Sequence, residues 1–146
     1  MYLLDTDIIS GLFRGETNIQ NAYKKHNPAD VFIPSICVYE ILNGCIQQIH
    51  SELPKFNRGK PSTLLLSYRS LTDAAFALAK FPVLHFDNDA LRVYGSLSKG
   101  LRETAKANDS KIASIALLNG LIVVTRNVRH FKEIQAEQSD LDIETW

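Results

Sequence analysis

Apolar residues along this chain follow two rhythms. Three short uninterrupted runs, residues 2–4, 31–33 and 121–124, and one run interrupted by His85, residues 82–86, are separated by longer stretches in which apolar positions recur every three or four residues. Runs of that length predict buried strands, and the longer stretches predict amphipathic helices. A short helix is expected from Ile8 and another around residues 19–25. Pro34 stops the second run, and Ser35 reads as the N-cap of a long helix reaching about Leu53, with Val38, Ile41, Leu42, Cys45, Ile46 and Ile49 on its core face. A basic turn at residues 57–61 leads to a helix over 62–80, with Leu64, Leu65, Tyr68, Leu71, Ala75 and Leu78 inward. Asp87-Asn88-Asp89 ends the third run and opens a helix to about Glu103. A further helix runs from Asp109 to Asn119, with Gly120 as its C-cap. A last, short strand is expected near Asp142 and Ile143. Uninterrupted strands alternating with helices predict an α/β fold, a three-layer sandwich with a central, mostly parallel sheet flanked by helices.

A length of 146 residues suits one domain spanning 1–146 and leaves room for a real core. No apolar run is long enough to span a bilayer, and no basic segment precedes the apolar start. A cytoplasmic protein is therefore the default expectation. Cys37 and Cys45 fall about two turns apart on one predicted helix, too far for a disulfide, so reduced thiols are expected. No Cys/His spacing resembles a zinc site. Sixteen basic and sixteen acidic residues balance to zero, which excludes a surface attractive to nucleic acid all over. The balance conceals sorting: KFNRGK, SKGLRETAK and TRNVRHFK are locally basic, and residues 133–144 are acidic.

The carboxylates then acquire positions. In a parallel sheet all strand C-termini lie at one edge, where the following helices begin and where open α/β sheets bind ligands. Asp5 and Asp7 follow the first strand, and Glu40 lies in the second turn of the helix after the second. Asp87 and Asp89 follow the third run, Asp109 starts a helix, and Thr125 and Asn127 come just past residues 121–124. Carboxylates crowded at one edge repel unless a cation lies among them, and Mg²⁺ or Mn²⁺ takes oxygen ligands. Each residue also has a plainer reading. Thr6 or Asp7 could cap the first helix and leave Asp5 solvated. Glu40 falls off its helix's apolar stripe. Asp109, Asp87 and Asp89 could be caps, and Thr125 and Asn127 could form an ordinary turn. The shared edge, rather than any single residue, favours the metal reading.

These segments resemble PIN-domain ribonucleases, in particular VapC-type toxins of toxin–antitoxin pairs. MYLLDTDIISGLF resembles the family's opening strand and acid, and Ser35 followed by Glu40 its serine and acid after the second strand. FDNDALRVYGSL, NDSKIASIAL and GLIVVTRNVRHFKEI resemble its later motifs in the right order over nearly the whole chain. The resemblance implies that Asp5, Glu40 and Asp109 are catalytic metal ligands, with Asp7, Thr125 and Asn127 in support. It implies a metal-dependent endoribonuclease using Mg²⁺ or Mn²⁺, a homodimer, and a VapB-like antitoxin partner that blocks the site. The RNA cut is expected to be structured, such as a transfer RNA. Departures from the family pattern are Asn127 where many members carry a fourth acid, Asp7 where an asparagine is common, and Ala107 where glycine often precedes the Asn-Asp pair.

Lys and Arg within residues 99–106 and 126–132 are candidates for the phosphates flanking the cut. His130 could contact RNA or assist a proton transfer, but a structural role packed beside Phe131 is the favoured reading. Three rivals remain: a metal-dependent phosphatase using the same acids, a binding module without turnover, and a metal-independent ribonuclease using paired histidines. The last is disfavoured by the scattered positions of His26, His50, His85 and His130.

Overall fold

The computed structural model describes residues 1–103 and 107–146. Five strands, β1 (Tyr2–Leu4), β2 (Val31–Pro34), β3 (Val83–Leu84), β4 (Ile122–Val124) and β5 (Ile143–Glu144), form a sheet in the order β3-β2-β1-β4-β5, and every neighbouring pair is parallel. The helices among the described residues are α1 (Thr6–Phe13), α2 (Thr17–Tyr23), α3 (Ser35–Asn57), α4 (Leu64–Leu78), α5 (Asn88–Ser96), α6 (Lys99–Arg102), α7 (Ala107–Asn119) and α8 (Val128–Glu137). The predicted α/β sandwich is the observed fold. From β1 the chain first adds strands on one side, β2 and then β3, and afterwards crosses to add β4 and β5 on the other. With right-handed crossovers, α1–α4 cover one face of the sheet and α5–α8 the other.

Register at the centre positions the site. Leu3 pairs with Phe32 on one side and Val123 on the other, and Leu4 pairs with Val124. One residue further, the Asp5 amide donates to the Val124 carbonyl at 2.9 Å, so β1 and β4 end level with each other. Leu3, Leu4, Val123 and Val124 are fully buried, together with Ile8, Ile9, Ile112, Ile115, Phe131 and Ile134 from the helices. Burial of each such Leu or Ile side chain contributes about 1.5–3 kcal/mol, enough to hold this register firmly. Gly11 lets α1 and α2 approach closely. A Cβ there would overlap Ile19 Cδ1, which is sealed in the core and cannot move aside.

Several predicted details are corrected. Helix α1 begins at Thr6 rather than Ile8, because Asp5 is its cap. Ser35 is the first residue of α3, not its N-cap. Pro34 holds the cap position, and the Ser35 hydroxyl accepts from the Phe86 amide at 3.2 Å. Helix α3 runs through Pro54 to Asn57, past the predicted end, and its Ile46 is exposed. Leu65, Tyr68 and Ala75 do not face inward on α4: Leu65 is 75% exposed, whereas Leu64, Ser67 and Leu78 are buried. An element as apolar all round as LLLSYRSL does not reveal its buried face by composition. The helix expected to run to Glu103 breaks at Leu97 and Ser98, where Leu97 is buried and the Ser98 amide donates to Glu137. Helix α8 was not anticipated, although Phe131 and Ile134 have helical spacing and are both buried. Cys37 and Cys45 are free thiols on α3, as expected.

Candidate active site

Sheet order reverses between β1 and β4, and the residues just past those two strands build the site. Such a reversal opens a crevice at the strand C-termini. Asp5 ends β1 in extended conformation and caps α1, with the Thr6 amide donating to its Oδ1 at 2.7 Å. The Thr125 hydroxyl donates to its Oδ2 at 2.7 Å from the matching position after β4. Asp5 is only 6% exposed, so the reading that left it solvated is wrong. Burial pushes its carboxyl up to about 7, and the charges of Asp7 and Asp109 push the same way against the Thr125 and Thr6 donors.

The other acids arrive from separate elements. Glu40, half-buried on the second turn of α3, accepts from the Thr6 hydroxyl and from Asn108 Nδ2 at 2.7 Å. Asp109, in the first turn of α7, accepts from Asn127 Nδ2 at 2.9 Å. His130 Nδ1 lies 3.0 Å from the same oxygen and 2.7 Å from Asn127 Nδ2; it donates to Asp109 when it carries a proton and accepts from Asn127 when it does not. Burial raises the Asp109 carboxyl, the His130 contact lowers it, and the Glu40 and Asp7 charges raise it further. Asp7 accepts the Arg126 amide at 2.9 Å on Oδ2, while its Oδ1 is buried with no hydrogen-bond partner among the described residues.

All six sequence-predicted residues therefore meet at one edge: Asp5, Glu40 and Asp109, with Asp7, Thr125 and Asn127 among them. Asp87 and Asp89 stand apart. Asp87 caps α5 by accepting from the amides of Asp89 and Ala90, and Asp89 pairs with Arg92. Sequence reasoning missed Thr6 and Asn108 as the tethers of Glu40, and it undervalued His130, which sits on Asp109 rather than merely packing. A hydroxyl one residue from Asp5 and an amide one residue from Asp109 were visible signals. Their shared partner, 34 and 68 residues away, was not.

A hard divalent cation suits this donor set chemically. The oxygens are carboxylate oxygens, two of the carboxyls are raised by burial and by neighbouring carboxylate charge, and one buried oxygen of Asp7 lacks a donor among the described residues. As the side chains stand, no three His, Cys, Asp or Glu groups among the described residues close into a coordination sphere. Joint ligation thus requires rotation of side chains now held by Thr6, Asn108, Asn127 and His130.

The family model described as PIN domain matches residues 2–137. Among solved structures, DNA-bound VapBC from Salmonella typhimurium is similar with a TM-score of 0.72 and 24% identity, over 99% of this chain and 97% of that one. FitAcB from Neisseria gonorrhoeae gives 0.71 and 22%, over 98% and 96%. A toxin–antitoxin complex from Klebsiella pneumoniae gives 0.66 and 21%, over 92% of both. No curated protein matches significantly in sequence.

Proposed function

Because the chain belongs to the PIN domain family, we propose that it is a metal-dependent endoribonuclease, the VapC-type toxin of a toxin–antitoxin pair. The observation that carries this reading is the meeting of Asp5, Glu40 and Asp109 at the strand C-termini where β1 and β4 adjoin, with the Asp5 carboxyl pushed up to about 7. Asp5, Glu40 and Asp109 would hold a Mg²⁺ or Mn²⁺ ion, which would supply Lewis-acid chemistry at the scissile phosphate and the attacking water.

The chain's own groups prepare that chemistry. Thr125 and the Thr6 amide fix both oxygens of Asp5. Asn127 and His130 orient Asp109, and Thr6 and Asn108 restrain Glu40. Asp7 ties the turn after β4 to α1 through the Arg126 amide. Holding the ligands through second partners of this kind tunes both their orientation and their basicity.

The partner reading is a VapB-like antitoxin, with two copies of the toxin in the assembly. A groove of about 490 Å³ between α1, α3 and α4, lined by Phe13, Ile41, Cys45 and Ala77 with Arg14 and Asp73 beside them, offers a partly apolar, partly charged seat for an antitoxin segment. A basic antitoxin side chain among the acids would neutralise them. The deciding experiment is cleavage of total cellular RNA by purified protein in Mg²⁺, Mn²⁺ or EDTA, alongside Asp5→Asn and Asp109→Asn. Discrete fragments that need metal and both aspartates are expected. Cleavage that survives EDTA and both substitutions would refute the reading, and phosphate released from small esters without RNA fragments would favour a phosphatase.

A further inference from the structure

Resting on the nuclease reading, we propose that Arg126 and Arg14, held together by Glu16, form the seat for an RNA phosphate neighbouring the scissile one. Arg126 stands between Thr125, which binds Asp5, and Asn127, which binds Asp109, and its amide is bonded to Asp7. Its backbone is therefore part of the acidic edge. Its side chain turns outward to Glu16 Oε2, while Arg14 reaches Glu16 Oε1 through Nε at 3.1 Å and a terminal nitrogen at 2.7 Å. Two guanidiniums share one carboxylate, so the cluster carries a net charge of +1 beside a site dominated by carboxylates.

Three features fit a phosphate seat better than a structural bridge. Glu16 occupies the N-cap position of α2 yet makes no capping bond; its carboxylate is spent on the arginines. Gly11 leaves room for that carboxylate, since a Cβ there would stand 3.3 Å from Glu16 Cδ. The arginines are solvent-accessible, and exposed ion pairs stabilise a fold very little, so folding alone gives weak reason for the arrangement. A polyanion entering an acidic crevice needs cations beside it, and an oriented guanidinium matches phosphate bidentately. Among the described residues, Arg126 makes no side-chain bond except to Glu16, which leaves donors for such a ligand.

The test uses a fluorescein-labelled, mixed-sequence 20-nucleotide RNA bound to the full chain in EDTA, which prevents metal-dependent cleavage. Affinity is read by anisotropy from about 50 to 200 mM salt, a range over which phosphate contacts weaken steeply. Arg126→Ala is expected to weaken binding several-fold and to reduce the salt slope by about 0.7, the value for one single-strand phosphate. Arg126→Lys should restore the slope but not the full affinity, and Glu16→Gln should steepen it by releasing a second cation. In cleavage assays Arg126→Ala should raise KM and leave kcat nearly unchanged. Unchanged affinity and slope in Arg126→Ala and Arg14→Ala, with only a fall in Tm, would overturn the seat and leave the nuclease reading standing. Failure of the unaltered protein to bind RNA at any salt would likewise overturn the seat, whereas the nuclease reading stands or falls on metal-dependent cleavage.

Discussion

Asp5 and Glu52 are carboxylates of nearly equal exposure, 6% and 9%, with opposite electrostatics. At the joint between α3 and α4, Glu52 accepts from Lys55 Nζ at 2.5 Å, the Thr63 amide at 2.8 Å and the Ser62 hydroxyl at 3.1 Å. Lys55 and the Thr63 amide hold its carboxyl down at about 2, because a cation and donors outweigh a cover made only of immediate partners. Asp5 has donors too, but burial outweighs them, the charges of Asp7 and Asp109 add to it, and its pKa rises to about 7. One acid is provided for by the chain that folds around it and closes a hairpin. The other meets only the Thr6 amide and the Thr125 hydroxyl among the described residues. A carboxyl raised by burial together with like charges marks a candidate site of chemistry; one lowered by its own ion pair marks a structural joint.

That contrast predicts which substitutions damage activity and which damage the fold. Asp109→Asn or Asp5→Asn should reduce RNA cleavage by about 10²- to 10³-fold or more, the scale for removing a group that stabilises a transition state. Asp5→Asn should also raise Tm in EDTA, since it deletes a poorly compensated buried charge. If that variant melts lower while Glu52→Gln is silent, the contrast fails.

The pH dependence follows from the raised carboxyl. Between about 3.8 and 7 the folded protein binds the Asp5 proton more tightly than the unfolded chain does, so stability is greatest at the acid end and declines as pH rises through that window. At about 1.4 kcal/mol per pH unit, the decline has an upper limit of about 4 kcal/mol. Urea unfolding at pH 5 and pH 8 in EDTA should reveal it. Asp5→Asn should flatten it, and Mg²⁺ or Mn²⁺ should restore stability more at pH 8 than at pH 5.

Thr125→Val removes a lowering donor from Asp5 while keeping the volume of a fully buried side chain. Cleavage should fall by about tenfold, the cost of roughly one hydrogen bond to a charged group. The acid limb of the pH–rate profile should move to higher pH. An unmoved profile would mean that Thr125 contributes packing alone. The smallest effect belongs to Glu52→Gln, which should lower Tm by a few degrees and leave RNA cleavage unchanged. A loss of activity there would tie the α3–α4 joint to the site and blur the distinction.

Sequence reasoning reached much of the fold and the central acids because both are written in short-range terms. Apolar runs at residues 2–4, 31–33 and 121–124 have no polar positions to spare for solvent, so they required a covered parallel sheet, and a parallel sheet puts Asp5, Glu40, Asp109, Thr125 and Asn127 at one edge. It did not reach the buried face of α4, where apolar residues on every side leave the choice to packing against α3. Nor did it foresee that Thr6 and Asn108 meet on Glu40, that His130 rests on Asp109, or that Arg14 and Arg126 share Glu16. Local pattern determines which residues must leave water. Which polar groups then face one another across 34, 68 or 110 residues is decided only when the strands align in register and the helix ends converge.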